Sequence, residues 1–478
     1  MQAIETEPHH LQQVITREMA KQGYTITSLS KEMAVNRGLL SSSLNRLTKL
    51  IPVPLLDELA KALGHPEGWL YAEYVEECFR EKPHWRRVKV LLMRCLDLQR
   101  WDLVDDVLDR LMEEPQYVAA VFEMAEELYK AGRKVDAIPL YRCVVQNEIK
   151  QHSERFAISH YKWFRAEISQ PLDIDTYYQA AIRFSPYLKR LSIHHQLDAL
   201  LQLANVHFIL KKWDDVEKCC LDMLDCVQIC LRQEEGAQRN SLAREAAERP
   251  LVVYYGQSFL LRGNALEKQG RYGEAFQYIK SYEDLSWFSS LDERGLKEVE
   301  RLSVFARGNR LSLYILLGEF KYLSDYVDFL DCHKAERLPG LITIIEAALR
   351  HKHDVNSVLP RFEQEIQELT TNISTDGITY YDPAFSATRR MQLFYGLALY
   401  NFNQGLISRG LDYLLLSLQW MMLSNNKLSI TCVAWFEKYR NQANSTQTSR
   451  YLEIMKGVIR NEEVDGYPVD FVEHCRIV

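Results

Sequence analysis

The sequence predicts an all-α chain, with a small N-terminal helical bundle followed by a long right-handed stack of helical hairpins. Three observations carry this reading. Apolar residues recur at helical spacing along nearly the whole length. A short turn signature returns five times between such helices, as Gln-Arg-Trp-Asp-Leu-Val at 99–104, Gly-Arg-Lys-Val-Asp-Ala at 132–137, Lys-Lys-Trp-Asp-Asp-Val at 211–216, Gly-Arg-Tyr-Gly-Glu-Ala at 270–275 and Gly-Glu-Phe-Lys-Tyr-Leu at 318–323. Finally, Gly263, Gly270, Tyr272 and Ala275 place small residues where two helices would cross and an aromatic residue at the start of the second helix. At 478 residues the chain is long for one core, but a stack needs no single core.

In the first 66 residues, Leu11, Val14, Ile15 and Met19 mark a helix that Gly23 ends. Thr25 is the predicted N-cap of a second, short helix, and Leu29, Met33, Ala34 and Val35 lead to Asn36, the predicted cap of a third helix over 37–47. Leu40, Leu44 and Leu47 form the buried stripe of that helix, leaving Arg37, Ser41, Ser42, Asn45 and Arg46 facing away. Gly38 lies inside it at a cost of about 1 kcal/mol relative to alanine. A fourth helix over 55–63 follows Pro52 and Pro54 and stops at Gly64. Residues 1–50 carry six basic and four acidic residues, a local excess of positive charge in a chain of net charge -7. A helix over 67–81 is expected to link the bundle to the stack, with a basic run from Arg80 to Lys89 beside it, read as a solvated face. The linker is placed at 67–84.

The stack is expected over 85–425, with capping or dimerisation helices over 426–478. Trp101 and Lys134 are 33 residues apart, one hairpin period; Lys134 and Trp213 are 79 apart, which leaves room for an irregular hairpin over 154–168 and 174–188, broken at Pro171. Later hairpins are expected over 338–350 with 355–369, 389–403 with 406–423, and 428–460, giving about nine in all. The rhythm is interrupted over 232–250 and 370–387, the second stretch reading as a long loop from Asp376-Gly377 and Asp382-Pro383.

The repeat signature resembles the tetratricopeptide repeat (TPR), in which the first helix of each hairpin lines an inner, peptide-binding face. Asn205 and Asn264 occupy the same repeat position, after Ala204 and Gly263, and Gln257 lies two turns before Asn264 on its face. An amide both donates and accepts, so it can hold a peptide backbone of any sequence; it can equally satisfy backbone groups between repeats. Arg262, Arg307 and Arg310 are candidates for a peptide carboxylate, and Tyr161, Arg165 and Tyr254 for side-chain pockets.

The same sequence argues against several functions. No phosphate-loop, zinc-protease or nucleophile-elbow motif occurs, so the chain is not expected to be an enzyme or to carry a cofactor or metal. Cys219, Met223, Cys226 and Cys230 share one helical face, but soft residues on one straight helix cannot surround a tetrahedral ion and read as core. The ten cysteines fit reduced thiols. The start resembles no signal peptide and no apolar stretch reaches membrane-spanning length, so a cytoplasmic protein without a membrane partner is expected.

Residues 25–36 and the exposed side of the third helix resemble the helix-turn-helix of the Xre/Cro family. Joined to a TPR-like array, that plan resembles the RNPP class of regulators (PlcR, NprR, PrgX and Rgg types) and the phage arbitrium receptors. The resemblance implies a homodimeric transcription factor that binds double-stranded DNA and is switched by a short peptide, as in quorum sensing. The alternative is a Rap-like adaptor that sequesters a protein partner and uses the N-terminal bundle for docking.

Overall fold

The computed structural model describes residues 10–45, 51–149, 153–169, 174–236, 247–288, 291–371, 383–423 and 429–464. Among them all regular structure is helical, and the chain divides into two compact units, Met1–Gln202 and Leu203–Val478. No helix among the described residues is long and apolar enough to cross a membrane.

The first unit opens with α1 (His10–Lys21), α2 (Ile26–Glu32), α3 (Arg37–Asn45), α4 (Val53–Ala62) and α5 (Tyr71–Phe79). It continues with α6 (Trp85–Asp97), α7 (Trp101–Met112), α8 (Val118–Lys130), α9 (Lys134–Asn147), α10 (Glu154–Glu167) and α11 (Ile174–Phe184), and then the first part of α12 (Ile193–Ile209). The second unit holds the end of α12, then α13 (Trp213–Gly236), α14 (Leu251–Lys268), α15 (Tyr272–Ile279), α16 (Glu293–Leu316), α17 (Leu323–Cys332) and α18 (Lys334–His351). It ends with α19 (Glu363–Thr371), α20 (Pro383–Asn403), α21 (Ile407–Leu423), α22 (Ser429–Tyr439) and α23 (Ser445–Val464). From α6 onward these helices fall into nine successive pairs among the described residues, in line with the hairpin count expected from the sequence.

All five repeated turns have one backbone form. Gln99, Gly132, Lys211, Gly270 and Gly318 adopt left-handed φ of 54°, 83°, 56°, 75° and 87°. The next amide reaches back five residues in each, as in Arg100 N–H to Cys95 O at 2.9 Å, Arg133 to Leu128 at 3.0 Å and Arg271 to Leu266 at 2.9 Å. This is the Schellman closure, which satisfies carbonyls that the helix end leaves open. A sixth copy closes α20, with Gly405 at φ 76° and Leu406 N–H bonded to Asn401 O at 2.9 Å. Its Gln-Gly-Leu-Ile sequence lacks the basic or aromatic residue that marks the other five.

Three expected boundaries are corrected. The helix expected over 355–369 begins only at Glu363, because Pro360 sits in a preceding 3-10 turn, Leu359–Phe362. The long loop expected to reach residue 387 ends earlier, since Pro383 opens α20 at a position where proline's missing N–H is harmless; residues 372–382 lie outside those described. The helix expected over 67–81 is shorter, and it is no mere linker. Tyr71, Tyr74, Val75 and Cys78 of α5 are buried in one core that runs from Leu11 of α1 to Val144 of α9. Polar contacts reinforce that core. The Tyr71 hydroxyl donates to Asp57 of α4 at 2.7 Å, and Arg94 of α6 binds Asp57 through Nε at 3.0 Å and Glu67 through Nη2 at 2.8 Å.

In the second unit, α14 packs on α16, α16 on α18 and α18 on α20. Glycines admit the closest approaches. A Cβ on Gly256 would overlap Leu302 of α16, one on Gly308 would lie 2.8 Å from the Phe329 ring of α17, and one on Gly340 would overlap Leu330. Gly263, chosen from the sequence as the crossing residue, is looser, its Cβ position lying 3.6 Å from Tyr278 Cβ.

Candidate functional site

Two surfaces carry the residues singled out from the sequence, one in each unit. In the first, Thr25 caps α2 through a reciprocal pair with Ser28: Ser28 N–H donates to Thr25 Oγ1 at 3.1 Å and Thr25 N–H to Ser28 Oγ at 2.8 Å. Ala34 takes the left-handed turn position at φ 53°, and Val35 packs against the core. Asn36 Oδ1 then accepts from Gly38 N–H at 2.7 Å and starts α3. This explains Gly38, since a Cβ there would lie 3.0 Å from that same oxygen.

Leu29, Leu40 and Leu44 are buried, and Arg37 is exposed in the first turn of α3. Ser41 and Ser42 are half-buried, and Ser42 donates to Leu39 O at 2.9 Å. Asn45 ends α3. Arg46 and Leu47 lie outside the described residues. Of the basic run beside α5, Lys82 and Lys89 are paired with Glu114 at 3.1 Å and Glu127 at 2.6 Å, as a solvated face would be.

In the second unit, Gln257 and Asn264 are half-buried on α14, within about 20° of one another around the helix. Asn205 is exposed near the end of α12. Each of Asn205 and Asn264 stands eight residues before the residue that opens the next helix, Trp213 and Tyr272. None of these three amide side chains has a hydrogen-bond partner among the described residues, so they do not bridge the backbones of neighbouring repeats.

The arginines are placed differently from the expectation. Arg262 is two residues from Asn264, hence about 160° away around α14. It is held there by Glu217 of α13 at 2.7 Å and by the Tyr278 ring of α15 at 4.6 Å. Arg307 and Arg310 share a face of α16 with Tyr314, whose ring stacks on Tyr322 at 4.2 Å and packs on Phe276 of α15 at 5.1 Å. Arg310 is ion-paired with Glu283, and Arg307 lies 6.0 Å from the centroid of the Phe329 ring of α17. Arg262 therefore does not share one ligand-facing stripe with Asn264.

Tyr161 and Arg165 belong to the first unit, where Tyr161 is 2% exposed. Its hydroxyl donates to Asp198 at 2.6 Å, and Arg165 donates to Tyr161 Oη at 2.9 Å and is ion-paired with Asp198. Tyr254 is fully buried, its hydroxyl accepting from Arg249 N–H at 3.2 Å. The two tyrosines thus fill core space and offer no surface pocket, because their rings are covered by neighbouring helices. Asp198 escaped the sequence reading although a signal was there, since it precedes Asn205 by the same seven residues that separate Gln257 from Asn264.

Other groups are structural. Cys219, Met223, Cys226 and Cys230 are buried along α13, and burial pushes the Cys219 thiol up to about 12 and the Cys226 thiol up to about 11. No cluster of metal-ligating side chains occurs among the described residues. No family model matches the chain, and no curated protein matches it.

Proposed function

We propose that the chain is a cytoplasmic DNA-binding transcriptional regulator, with an Xre-like helix-turn-helix and a TPR-like array that takes up a short signalling peptide, similar in plan to the RNPP regulators. The observation that carries the reading is the amide stripe, with Gln257 and Asn264 on one face of α14, unpartnered among the described residues, and Asn205 at the matching position one hairpin earlier. Such amides suit the alternating donors and acceptors of an extended peptide. On the DNA side, the capped start of α3 and its exposed Arg37 support major-groove docking. Two heads carried by a homodimer would have to match half-sites about one helical turn apart, and a ligand would act by biasing that separation.

A salt titration of duplex binding tests the DNA half. Affinity should fall steeply as salt rises, because phosphate contacts release counterions, and Arg37→Ala with Arg46→Ala should abolish it while the helical dichroism is unchanged. Unaltered binding in the double variant, or no duplex affinity at low salt, overturns the DNA assignment, and the second result leaves the adaptor reading. For the array, selection from a random heptapeptide library should yield binders that lose about 1–3 kcal/mol with Asn264→Ala. Equal affinity removes Asn264 from the site.

A further inference from the structure

We propose that α3 selects an A·T base pair, with Leu39 covering the thymine methyl group and Ser42 accepting a hydrogen bond from the adenine amine. The proposal rests on the DNA-binding reading of α3 and names what that helix recognises. Leu40, Ser43 and Leu44 point into the bundle, and the opposite arc of α3 runs from Arg37 through Gly38 and Ser42 to Leu39. Leu39 is 50% exposed, and among the described residues of α1–α5 it is the only large apolar side chain left in that state. It takes no part in the core that joins those helices. The Ser42 hydroxyl donates to Leu39 O at 2.9 Å, so its one proton is spent and its oxygen offers lone pairs alone. The two residues are three apart, which makes them neighbours on the helix surface with Cβ atoms about 5–6 Å from one another. Gly38, on the same arc, adds no side chain, so base edges can come close to the backbone there.

Charge on the same helices suits a nucleic-acid partner. Lys31 in the last turn of α2 and Arg37 in the first turn of α3 are exposed and have no ion-pair partner among the described residues, whereas Lys82 and Lys89 are neutralised by glutamates. Such open cations fit the phosphates that flank a groove. Base chemistry then narrows the choice of pair. In the major groove only thymine presents a methyl group, and only adenine and cytosine present an amine. A G·C pair has the amine without the methyl, and its guanine O6 and N7 would set acceptor against acceptor at Ser42. An A·T pair has both groups, so one such pair satisfies Leu39 and Ser42 together.

The test starts from a pool of random-sequence duplexes enriched for binding to the full chain at low salt. The enriched sites should share an A·T pair at which replacing thymine by uracil, which removes the methyl group alone, weakens binding about fourfold, the share of one buried methyl group. Leu39→Ala, which removes no core contact, should bind the thymine and uracil duplexes equally. Replacing the paired adenine by purine, which lacks the amine, should weaken the unaltered protein and leave Ser42→Ala unaffected. Enriched duplexes that lose nothing on uracil replacement at any thymine overturn the proposal and leave the DNA reading standing. A uracil loss of the same size in Leu39→Ala does likewise, as does a purine effect that persists in Ser42→Ala. Failure to enrich any duplex overturns both.

Discussion

Replacing Gly256 and Gly263 separately by alanine tests the packing of α14 directly. Both lie in the interior of one helix, so each substitution gains about 1 kcal/mol of helix propensity. The surroundings differ. At Gly263 the new methyl would meet Tyr278 Cβ at 3.6 Å and Ala275 O at 3.7 Å, ordinary contacts. At Gly256 it would overlap Leu302 Cδ1, with Leu302 Cδ2 at 3.0 Å and Leu285 Cδ1 at 3.3 Å, where α14 meets α16. Forcing a methyl into such a contact costs about 1–3 kcal/mol. Gly263→Ala should therefore stabilise by about 0.5–1 kcal/mol and Gly256→Ala destabilise by about 1 kcal/mol, a separation near 2 kcal/mol. Urea unfolding followed by helical dichroism would measure both, provided the same transition is compared, because arrays unfold in parts. Equal effects at the two positions, or a stabilising Gly256→Ala, would refute the reasoning.

Three further expectations follow from the first unit and the turns. His160 is 5% exposed, stacked on Tyr187 at 3.7 Å with neither ring nitrogen bonded among the described residues, and burial, aided by Arg183 and Arg190, holds it down to about 4. The unfolded chain then binds the extra proton first, so stability should fall as pH drops from about 6.5 through about 4, by up to about 3 kcal/mol. His160→Phe should flatten that slope, and an identical pH profile would show that another group is responsible. Lys211 occupies a left-handed turn position at φ 56°, so Lys211→Gly should raise stability by about 1 kcal/mol; a loss on thermal unfolding would contradict the turn assignment. Tyr71→Phe removes a hydrogen bond to the Asp57 carboxylate and should cost about 1–2 kcal/mol, with hydrogen exchange rising together in α4 and α6. A rise confined to α4 would mean that the two helices do not share one cooperative core.

Turns and caps were the legible part of this chain. Thr25, Asn36 and the glycines at 132, 270 and 318 act through neighbours within six residues, so their sequence context contains nearly all the physics. The direction a side chain faces was less legible, because it depends on which helix covers it. Arg262 and Asn264 look like one basic-polar cluster in sequence, yet two residues of helix put them on opposite sides. Tyr161 reads as a pocket residue until α12 supplies Asp198 to bind its hydroxyl. The tight glycines at 256, 308 and 340 were passed over for a related reason, since only the approach of Leu302, Phe329 and Leu330 distinguishes them from Gly263.

The unbroken core from Leu11 to Val144 has a consequence for exchanging parts between proteins. Severing the chain after residue 66 would strip α4 of the phenol that binds Asp57 and bare the apolar side of α1 that rests on α5. A four-helix piece transplanted at that point would carry its own exposed apolar surface and aggregate or melt. Grafts joined beyond α9 would keep the whole cluster, so the first five helices would arrive on a new host with their buried faces still covered.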